Sequence, residues 1–153
     1  MKETDKQILK HLRRNARDSI TNISRRTGIP TSTVFLKIRD HENSIIKKHT
    51  SLIDYSKLGY NYWQKTVLKL AECYNEEFEQ YLLEHQNVNS AYQINSGYDY
   101  LIETVHKNIK EYTDFIRKLE TKFKIEEKKE FQIINDLKRE SFLTKNLEDF
   151  RSE

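Results

Sequence analysis

The sequence predicts an α+β protein: a three-helix N-terminal helix-turn-helix followed by a ferredoxin-like domain of the order β-α-β-β-α-β. In the first 50 residues, apolar side chains recur every three or four positions, which is the period of amphipathic helices. From residue 62 onward, strand-like alternation is interrupted by two longer helical patterns. The predicted regions are a helix-turn-helix at 1–50, a connecting strand at 51–61, the ferredoxin-like domain at 62–143 and a charged tail at 144–153.

Each of the three N-terminal helices begins near a residue that can cap it. Thr4 and Gln7 have the spacing of a capping box, and Ser19 and Thr31 can accept hydrogen bonds from first-turn amides of the helices that follow. Gly28 follows the second helix, where glycine readily takes the left-handed conformation that ends a helix. The short turn that begins there predicts a helix-turn-helix.

Charge also separates the two regions. Residues 1–50 contain 12 Lys and Arg and 5 Asp and Glu, a net charge of +7, whereas the remainder contains 15 and 19, a net charge of −4. A basic block on an otherwise acidic chain is expected of a module that binds nucleic acid. An ordinary solvated surface could carry the same charge, and a generic three-helix bundle would show the same periodicity. The compact turn and the charge together favour DNA binding.

The third helix is the predicted reading element, which would lie in the major groove of double-stranded DNA. Val34, Ile38 and His41 would face inward, with His41 as a satisfied structural histidine rather than a pH sensor. The opposite side carries the predicted base contacts, which are Ser32, Phe35, Leu36 and Arg39. Arg39 would bind guanine through two hydrogen bonds. Phe35 and Leu36 would contact thymine methyl groups, unless one of them packs against the connecting strand.

Cations and hydroxyls around this helix predict contacts to DNA phosphates, which fix register without reading sequence. The predicted phosphate contacts are Thr31, Lys37, Arg25, Arg26, Arg13, Arg14 and Lys47. A dimer would bind a roughly palindromic site, with half-sites about 10 base pairs apart or a multiple of that.

The second region alternates strands and helices. The predicted strands are Tyr62–Ala71, Val88–Asn95, Tyr98–Val105 and Lys124–Ile134, and the predicted helices are Asn75–His85 and one starting at Asn108. Both helices would cover one face of an antiparallel sheet. The other face would carry Ala91, Leu101, Val105 and Val67, and its apolar character predicts packing against the sheet of a second copy, as a homodimer.

Composition argues against several classes of protein. Cys73, expected at a strand end, is the only cysteine, so no intrachain disulfide is expected, which fits a reducing cytoplasm. No apolar run reaches the roughly 20 residues that a membrane span needs, and the N-terminus lacks the apolar core of a signal peptide. The five histidines are scattered singly, without zinc spacing or a phosphate-binding glycine loop. We therefore expect no enzyme, no catalytic residue, no metal and no cofactor.

Several short runs, taken in order, carry a family likeness. The N-terminal runs are Asp5-Lys6-Gln7-Ile8-Leu9, Ser24-Arg25-Arg26-Thr27-Gly28-Ile29, Ser32-Thr33-Val34 and Lys37-Ile38-Arg39. The later runs are Ile45-Ile46-Lys47, Asp54 followed by Lys57-Leu58-Gly59, and Tyr98-Asp99-Tyr100-Leu101. Over roughly residues 4–143 they resemble the Lrp/AsnC (feast/famine) transcription regulators, in the helix-turn-helix, the connecting strand and the hairpin of the RAM-type domain.

The resemblance implies a homodimer through the C-terminal sheets, often assembled further, that regulates transcription and frequently binds an amino-acid effector. It places the effector site at the hairpin residues Ser96, Gly97, Tyr98 and Asp99. Asp99 could accept hydrogen bonds from an ammonium group, whereas Glu130 would oppose a carboxylate. Several positions depart from the family pattern. These are Lys37 for Arg, His41 for Leu, Ser44 for Gly, Ser96 for Gly, and Lys128 and Glu130 for small hydroxyl residues.

Two other interpretations use the same fold. An architectural protein that coats DNA without an effector would bind nonspecific DNA with high cooperativity. A ligand-binding module with a vestigial helix-turn-helix is the second, and the net charge of +7 on residues 1–50 argues against it.

Overall fold

The computed structural model describes residues 1–72 and 75–144, and this part of the chain forms five α-helices and four β-strands. It divides into two compact units, of which one is Ile53–Asp136 and the other combines Met1–Leu52 with the segment from Leu137 onward. Residues 137–143, assigned from sequence to the second domain, therefore group with the N-terminal unit. Cys73 and residues 145–153 of the expected tail lie outside the described residues.

The N-terminal unit contains α1 (Glu3–Arg14), α2 (Ile20–Thr27) and α3 (Thr31–Glu42). Their packing buries a small cluster that consists of Ile8, Ile23, Ile29 and Val34. Burying an aliphatic side chain of this size contributes about 1.5–3 kcal/mol. This cluster fixes which side of each helix faces inward.

Two of the predicted helix caps are wrong, Thr4 by two residues, because Lys2 flanks α1, and Thr31 by one. Thr4 lies inside the first turn of α1, and the Asp5 carboxylate accepts a hydrogen bond from the backbone N–H of Lys2 at 3.1 Å. Likewise Pro30, and not Thr31, flanks α3, because the Pro30 carbonyl accepts the first helical hydrogen bond, from the N–H of Val34 at 3.0 Å. An acidic side chain in the first turn and a proline with its fixed φ angle replaced the predicted hydroxyl caps.

The predicted boundary between α2 and α3 is confirmed. Ser19 Oγ accepts a hydrogen bond from the N–H of Asn22 at 3.1 Å at the start of α2. At its end, Gly28 has a φ of 73°, the left-handed conformation for which glycine was expected.

The predicted connecting strand is not formed. Between α3 and residue 62 the structure has no strand, only a short 3-10 helix at Ser56–Leu58 that ends at Gly59. A strand needs a neighbour to satisfy its backbone groups, and no strand of residues 1–72 and 75–144 pairs with residues 44–55. Apolar alternation therefore did not suffice to make this segment a strand.

The second unit has the predicted ferredoxin-like order. Its elements are β1 (Tyr62–Leu70), α4 (Glu76–Glu84), β2 (Val88–Gln93), β3 (Tyr100–His106), α5 (Ile109–Lys122) and β4 (Ile125–Gln132). The strands form one antiparallel sheet in the order β2-β3-β1-β4. The helices and one sheet face enclose the larger core, which includes Leu68, Phe78, Ile102, Ile116 and Leu119.

The other sheet face carries Trp63, Val67, Leu101 and Val105, so three of the four predicted residues lie there. Ala91 was also expected on this face, but it pairs with Ile102 of the core and therefore points toward the helices. The cause is a register shift between Val88 and Ser90, since one extra residue in a strand inverts the alternation beyond it.

Candidate nucleic-acid interface

The outer side of α3 presents the four residues predicted to contact bases. Ser32, Phe35, Leu36 and Arg39 are all exposed, with 50% of Phe35 and 61% of Leu36 accessible to solvent. Val34 and His41 lie on the opposite side and are buried. With 3.6 residues per turn, the exposed positions form one continuous stripe along the helix. This stripe combines two large apolar side chains with a cation and a hydroxyl.

On its inner side α3 forms an ion pair with a buried carboxylate of α1. The Lys37 ammonium lies 2.8 Å from Oδ1 of Asp5, a residue of α1 that is only 6% exposed. The contact with this ammonium lowers the pKa of the Asp5 carboxyl, although burial works in the opposite direction. Lys37 was predicted to contact phosphate, and in the structure its ammonium contacts Asp5.

His41 approaches the same carboxylate. Its Nε2 lies 3.4 Å from Oδ1 of Asp5, and the residue is 3% exposed. Neither ring nitrogen makes a hydrogen bond within the described residues, so the expected inward position is confirmed but the expected hydrogen bonds are not found. The acidic residue of α1 thus faces two basic side chains that stand one turn apart on α3.

Four of the predicted phosphate contacts lie on the surface of α2, the turn and the segment after α3. Arg25, Arg26, Thr31 and Lys47 are exposed. Arg25 donates a hydrogen bond to the Asn22 side chain at 2.8 Å, which leaves part of its guanidinium facing solvent. These groups are accessible to an anion.

The remaining two, Arg13 and Arg14 at the end of α1, contact the C-terminal segment of the chain. Arg13 donates hydrogen bonds to the Phe142 carbonyl at 3.1 Å and to the Glu140 carbonyl and carboxylate at 2.8 and 3.1 Å. Arg14 donates to the Thr144 carbonyl. Sequence reasoning missed these contacts, because nothing in the spacing of residues so far apart indicates that they meet.

The predicted effector hairpin is formed, but its acidic group has a structural contact. Oδ2 of Asp99 accepts a hydrogen bond from the backbone N–H of Leu70 at 2.8 Å, at the end of β1. The Tyr98 hydroxyl donates to Glu127. Ser96 and Gly97 both have positive φ angles, 71° and 95°. The hairpin is therefore built around a left-handed serine where the family resemblance implied glycine.

The acidic residue expected to oppose an effector also has a partner. Glu130 accepts a hydrogen bond from the Tyr112 hydroxyl at 2.6 Å, and burial together with this contact raises the pKa of Tyr112 well above its ordinary value. Within residues 1–72 and 75–144, no group of three or more His, Cys, Asp or Glu could hold a metal ion. No helix of the same residues is long and apolar enough to cross a membrane.

A three-helix unit with an exposed third helix, joined to a ferredoxin-like domain, defines a helix-turn-helix transcriptional regulator. Comparison with known proteins agrees. The family model of the AsnC-type helix-turn-helix domain matches residues 1–35, and that of the Lrp/AsnC ligand binding domain matches residues 68–141. The chain belongs to the Lrp/AsnC family of DNA-binding transcriptional regulators.

Relatives of known sequence are regulators as well. The HTH-type transcriptional regulator FL11 of Pyrococcus horikoshii is 30% identical over 115 residues, which cover 74% of this chain and 76% of FL11. The transcriptional regulator AzlB of Bacillus subtilis is 30% identical over 118 residues, covering 74% and 75%. The prediction of a regulator rather than an enzyme is therefore confirmed.

Solved structures show the same fold. LrpC of B. subtilis superposes with a TM-score of 0.81 at 21% identity, covering 90% of this chain and 97% of LrpC. A transcriptional regulator of Neisseria meningitidis in complex with L-Met superposes with a TM-score of 0.82 at 15% identity, covering 91% and 93%. The predicted fold class is confirmed.

Proposed function

We propose that this regulator binds double-stranded DNA as a homodimer in the cytoplasm and reads the major groove with Ser32, Phe35, Leu36 and Arg39. The observation that carries the proposal is the exposure of Phe35 and Leu36 on the same side of α3 as Arg39. Two large apolar side chains on a surface helix favour an apolar partner, and in the major groove that partner is the thymine methyl group. Arg39 supplies the bidentate contact to guanine.

The phosphate contacts of this proposal come mainly from Arg25, Arg26, Thr31 and Lys47. These residues are exposed, and three of them carry a full positive charge. Lys37 is assigned to Asp5 rather than to DNA, because its ammonium already lies within ion-pair distance of a buried carboxylate. Each phosphate contact contributes about 0.9 to the slope of log affinity against log salt concentration.

The open sheet face supports the homodimer. Val67 and Leu101 pair directly across β1 and β3, and Tyr92 stands opposite Leu101 on β2 with 52% of its surface exposed. Phe131 extends the same face on β4, paired with Lys65 and 53% exposed. A second copy covers such a face by the same surface on both subunits, which gives two-fold symmetry.

Two-fold symmetry in turn favours a roughly palindromic DNA site with half-sites about 10 base pairs apart or a multiple of that.

An amino-acid effector has narrower support. The second domain matches a ligand binding domain, and a structural neighbour was solved with L-Met. Asp99 already accepts a hydrogen bond from the backbone of β1, so an ammonium group would have to share that carboxylate. Calorimetric titration of the full chain with L-Met, and with leucine as a second amino acid, tests this part. Heats that do not exceed those of dilution would contradict it.

Binding to methyl-free DNA tests the reading of thymine. A duplex in which deoxyuridine replaces thymidine lacks only the methyl groups, so we expect the unchanged protein to bind it more weakly. Phe35→Ala should bind both duplexes alike. Ile45→Ala is the matched control, because Ile45 is similarly exposed, at 51%, but lies outside α3. Equal affinity of the unchanged protein for both duplexes would reject the thymine contact.

Genome-wide footprinting distinguishes a regulator with discrete sites from an architectural protein. A few protected sites of high affinity are the expected result. Continuous, cooperative protection of nonspecific DNA would instead favour coating.

A further inference from the structure

The end of α1 holds a segment of the chain's own C-terminal region. The Arg13 guanidinium donates three hydrogen bonds, to the Phe142 carbonyl and to both the carbonyl and the carboxylate of Glu140, at 2.8 to 3.1 Å. Arg14 adds a fourth hydrogen bond, to the carbonyl of Thr144. Both sides of this contact belong to the N-terminal unit. Two adjacent arginines thus hold residues 140–144 mainly through backbone oxygens.

These donors are the ones that a DNA phosphate would use. An arginine presents five N–H donors in a fixed fork, and phosphate recognition engages them in pairs. Arg13 already commits Nε and one terminal nitrogen to residues 140 and 142. A phosphate and the C-terminal segment therefore cannot both take the same fork of Arg13.

Two residues of the segment have strained backbone angles, although Thr144 donates hydrogen bonds to the Ser141 carbonyl within it. Glu140 has a φ of 49° and Leu143 a φ of 61°, both in the left-handed region that is unfavourable for residues other than glycine. Phe142 between them is 78% exposed, so little apolar burial offsets this backbone strain. The arginine contacts compensate for this strain. A phosphate that takes over these contacts therefore displaces the segment at a lower free-energy cost than it would displace a relaxed turn.

We propose that Arg13 and Arg14 form a docking surface for residues 140–144, and that this segment competes with DNA phosphates for the two arginines. The inference rests on DNA binding by the helix-turn-helix. With the segment in place, the N-terminal unit contacts DNA through the cations of α2 and of the region after α3. Once the segment leaves, two further arginines become available and nonspecific affinity rises.

The salt dependence of binding to a nonspecific duplex tests the competition on the full chain. Leu143→Pro forbids the positive φ at that position and leaves both arginines unchanged. We expect its slope of log affinity against log salt to be steeper than that of the unchanged protein by up to about 2. Glu140→Ala removes one acceptor of Arg13 and should give an intermediate slope. Glu76→Ala removes the same charge from the start of α4 and should change nothing.

A double-mutant comparison decides where the arginines act. The pair Arg13→Gln and Arg14→Gln should leave the slope of the otherwise unchanged chain as it is. In the Leu143→Pro background the same pair should abolish the gain. A decrease of about 2 in the otherwise unchanged chain would mean that the arginines contact phosphate while the segment is docked, which overturns the proposal. Absence of any DNA binding would instead contradict the proposed function, so the two failures are distinguishable.

Discussion

The Lys37 ammonium lies 2.8 Å from the Asp5 carboxylate and links the inner side of α3 to the start of α1. The same carboxylate accepts a hydrogen bond from the Lys2 backbone and lies 3.4 Å from Nε2 of His41. Lys37 and His41 are positions at which the chain departs from the family pattern, and both departures meet at Asp5. This junction adds a polar contact between α1 and α3 to the apolar packing of Ile8, Ile23 and Val34.

The first prediction concerns the assignment of Lys37. Lys37→Gln should leave the salt slope of DNA binding unchanged, because its charge is neutralised by Asp5 and not by phosphate. Arg26→Gln is the matched control, since Arg26 is exposed at the end of α2 and its loss should reduce the slope by about 1. The measurement is affinity over a series of salt concentrations. A reduction of the same size in Lys37→Gln would show that Lys37 reaches DNA.

The exposed face of α3 could be predicted because it depends only on local periodicity. Once Val34 and Ile38 are placed inward, the helical period fixes the direction of Phe35 and Arg39. The order of strands and helices along the chain was predictable for a similar reason, since each element of the second unit has its own local pattern. Where a feature depends on the period of a single helix or strand, the sequence was sufficient to predict it.

The features that sequence did not reveal are non-local or depend on a single inserted residue. Arg13 is 129 positions away from Phe142, and spacing carries no information over that distance. The register shift before Ser90 sent Ala91 to the core side although the alternation of the strand looked regular. The sequence analysis named Asp5 only within a run of residues that resembles the family. Its contacts with Lys37 and His41 depend on how α1 packs on α3. Predictions of partners therefore failed, and the prediction of a face failed in β2, where a register shift inverted the alternation.

The second prediction tests the homodimer. Leu101→Lys places an ammonium group on the open sheet face, and burial of an unpaired charge costs several kcal/mol. We expect the subunit dissociation constant to weaken at least about 100-fold, since each 1.4 kcal/mol is a factor of ten. Sedimentation equilibrium should show a dimer for the unchanged protein and a monomer for the variant. Leu83→Lys, on the 77% exposed side chain in α4, is the control and should remain dimeric. Monomeric unchanged protein would refute the proposed dimer.

The third prediction concerns the left-handed serine of the hairpin. Ser96 has a φ of 71°, a conformation that costs about 1–2 kcal/mol for a residue with a side chain. Ser96→Gly should raise the free energy of unfolding by about 1 kcal/mol, less than the full strain because glycine also gains freedom in the unfolded chain. Ser90→Gly in β2 should lower it by about 0.5–1 kcal/mol. Urea unfolding measures both, and a loss of stability in Ser96→Gly would show that the serine side chain is required there.

The last prediction follows from a buried histidine in the core of the second unit. His106 is 1% exposed and packs against Tyr112 and Phe115 with ring centroids 5.5 and 5.4 Å apart. Burial lowers the pKa of His106; nearby Glu111 opposes this shift, and His85 adds to it. The pKa of His85 is lowered as well, by burial and by Lys118. Within the described residues Nε2 of His106 has no hydrogen-bond partner, so no hydrogen bond from this atom stabilises the protonated ring.

The direction of the pH dependence follows from these shifts. Well above pH 6.5, the ordinary pKa of histidine, the side chain is neutral in both folded and unfolded chains. As the pH falls below that value, the unfolded chain binds a proton first, so the free energy of unfolding decreases. His106→Phe keeps an aromatic ring without the ionisable group, and its loss of stability between about pH 7.5 and about pH 5.5 should be smaller. An equal loss in His106→Phe would mean that His106 does not cause the acid sensitivity.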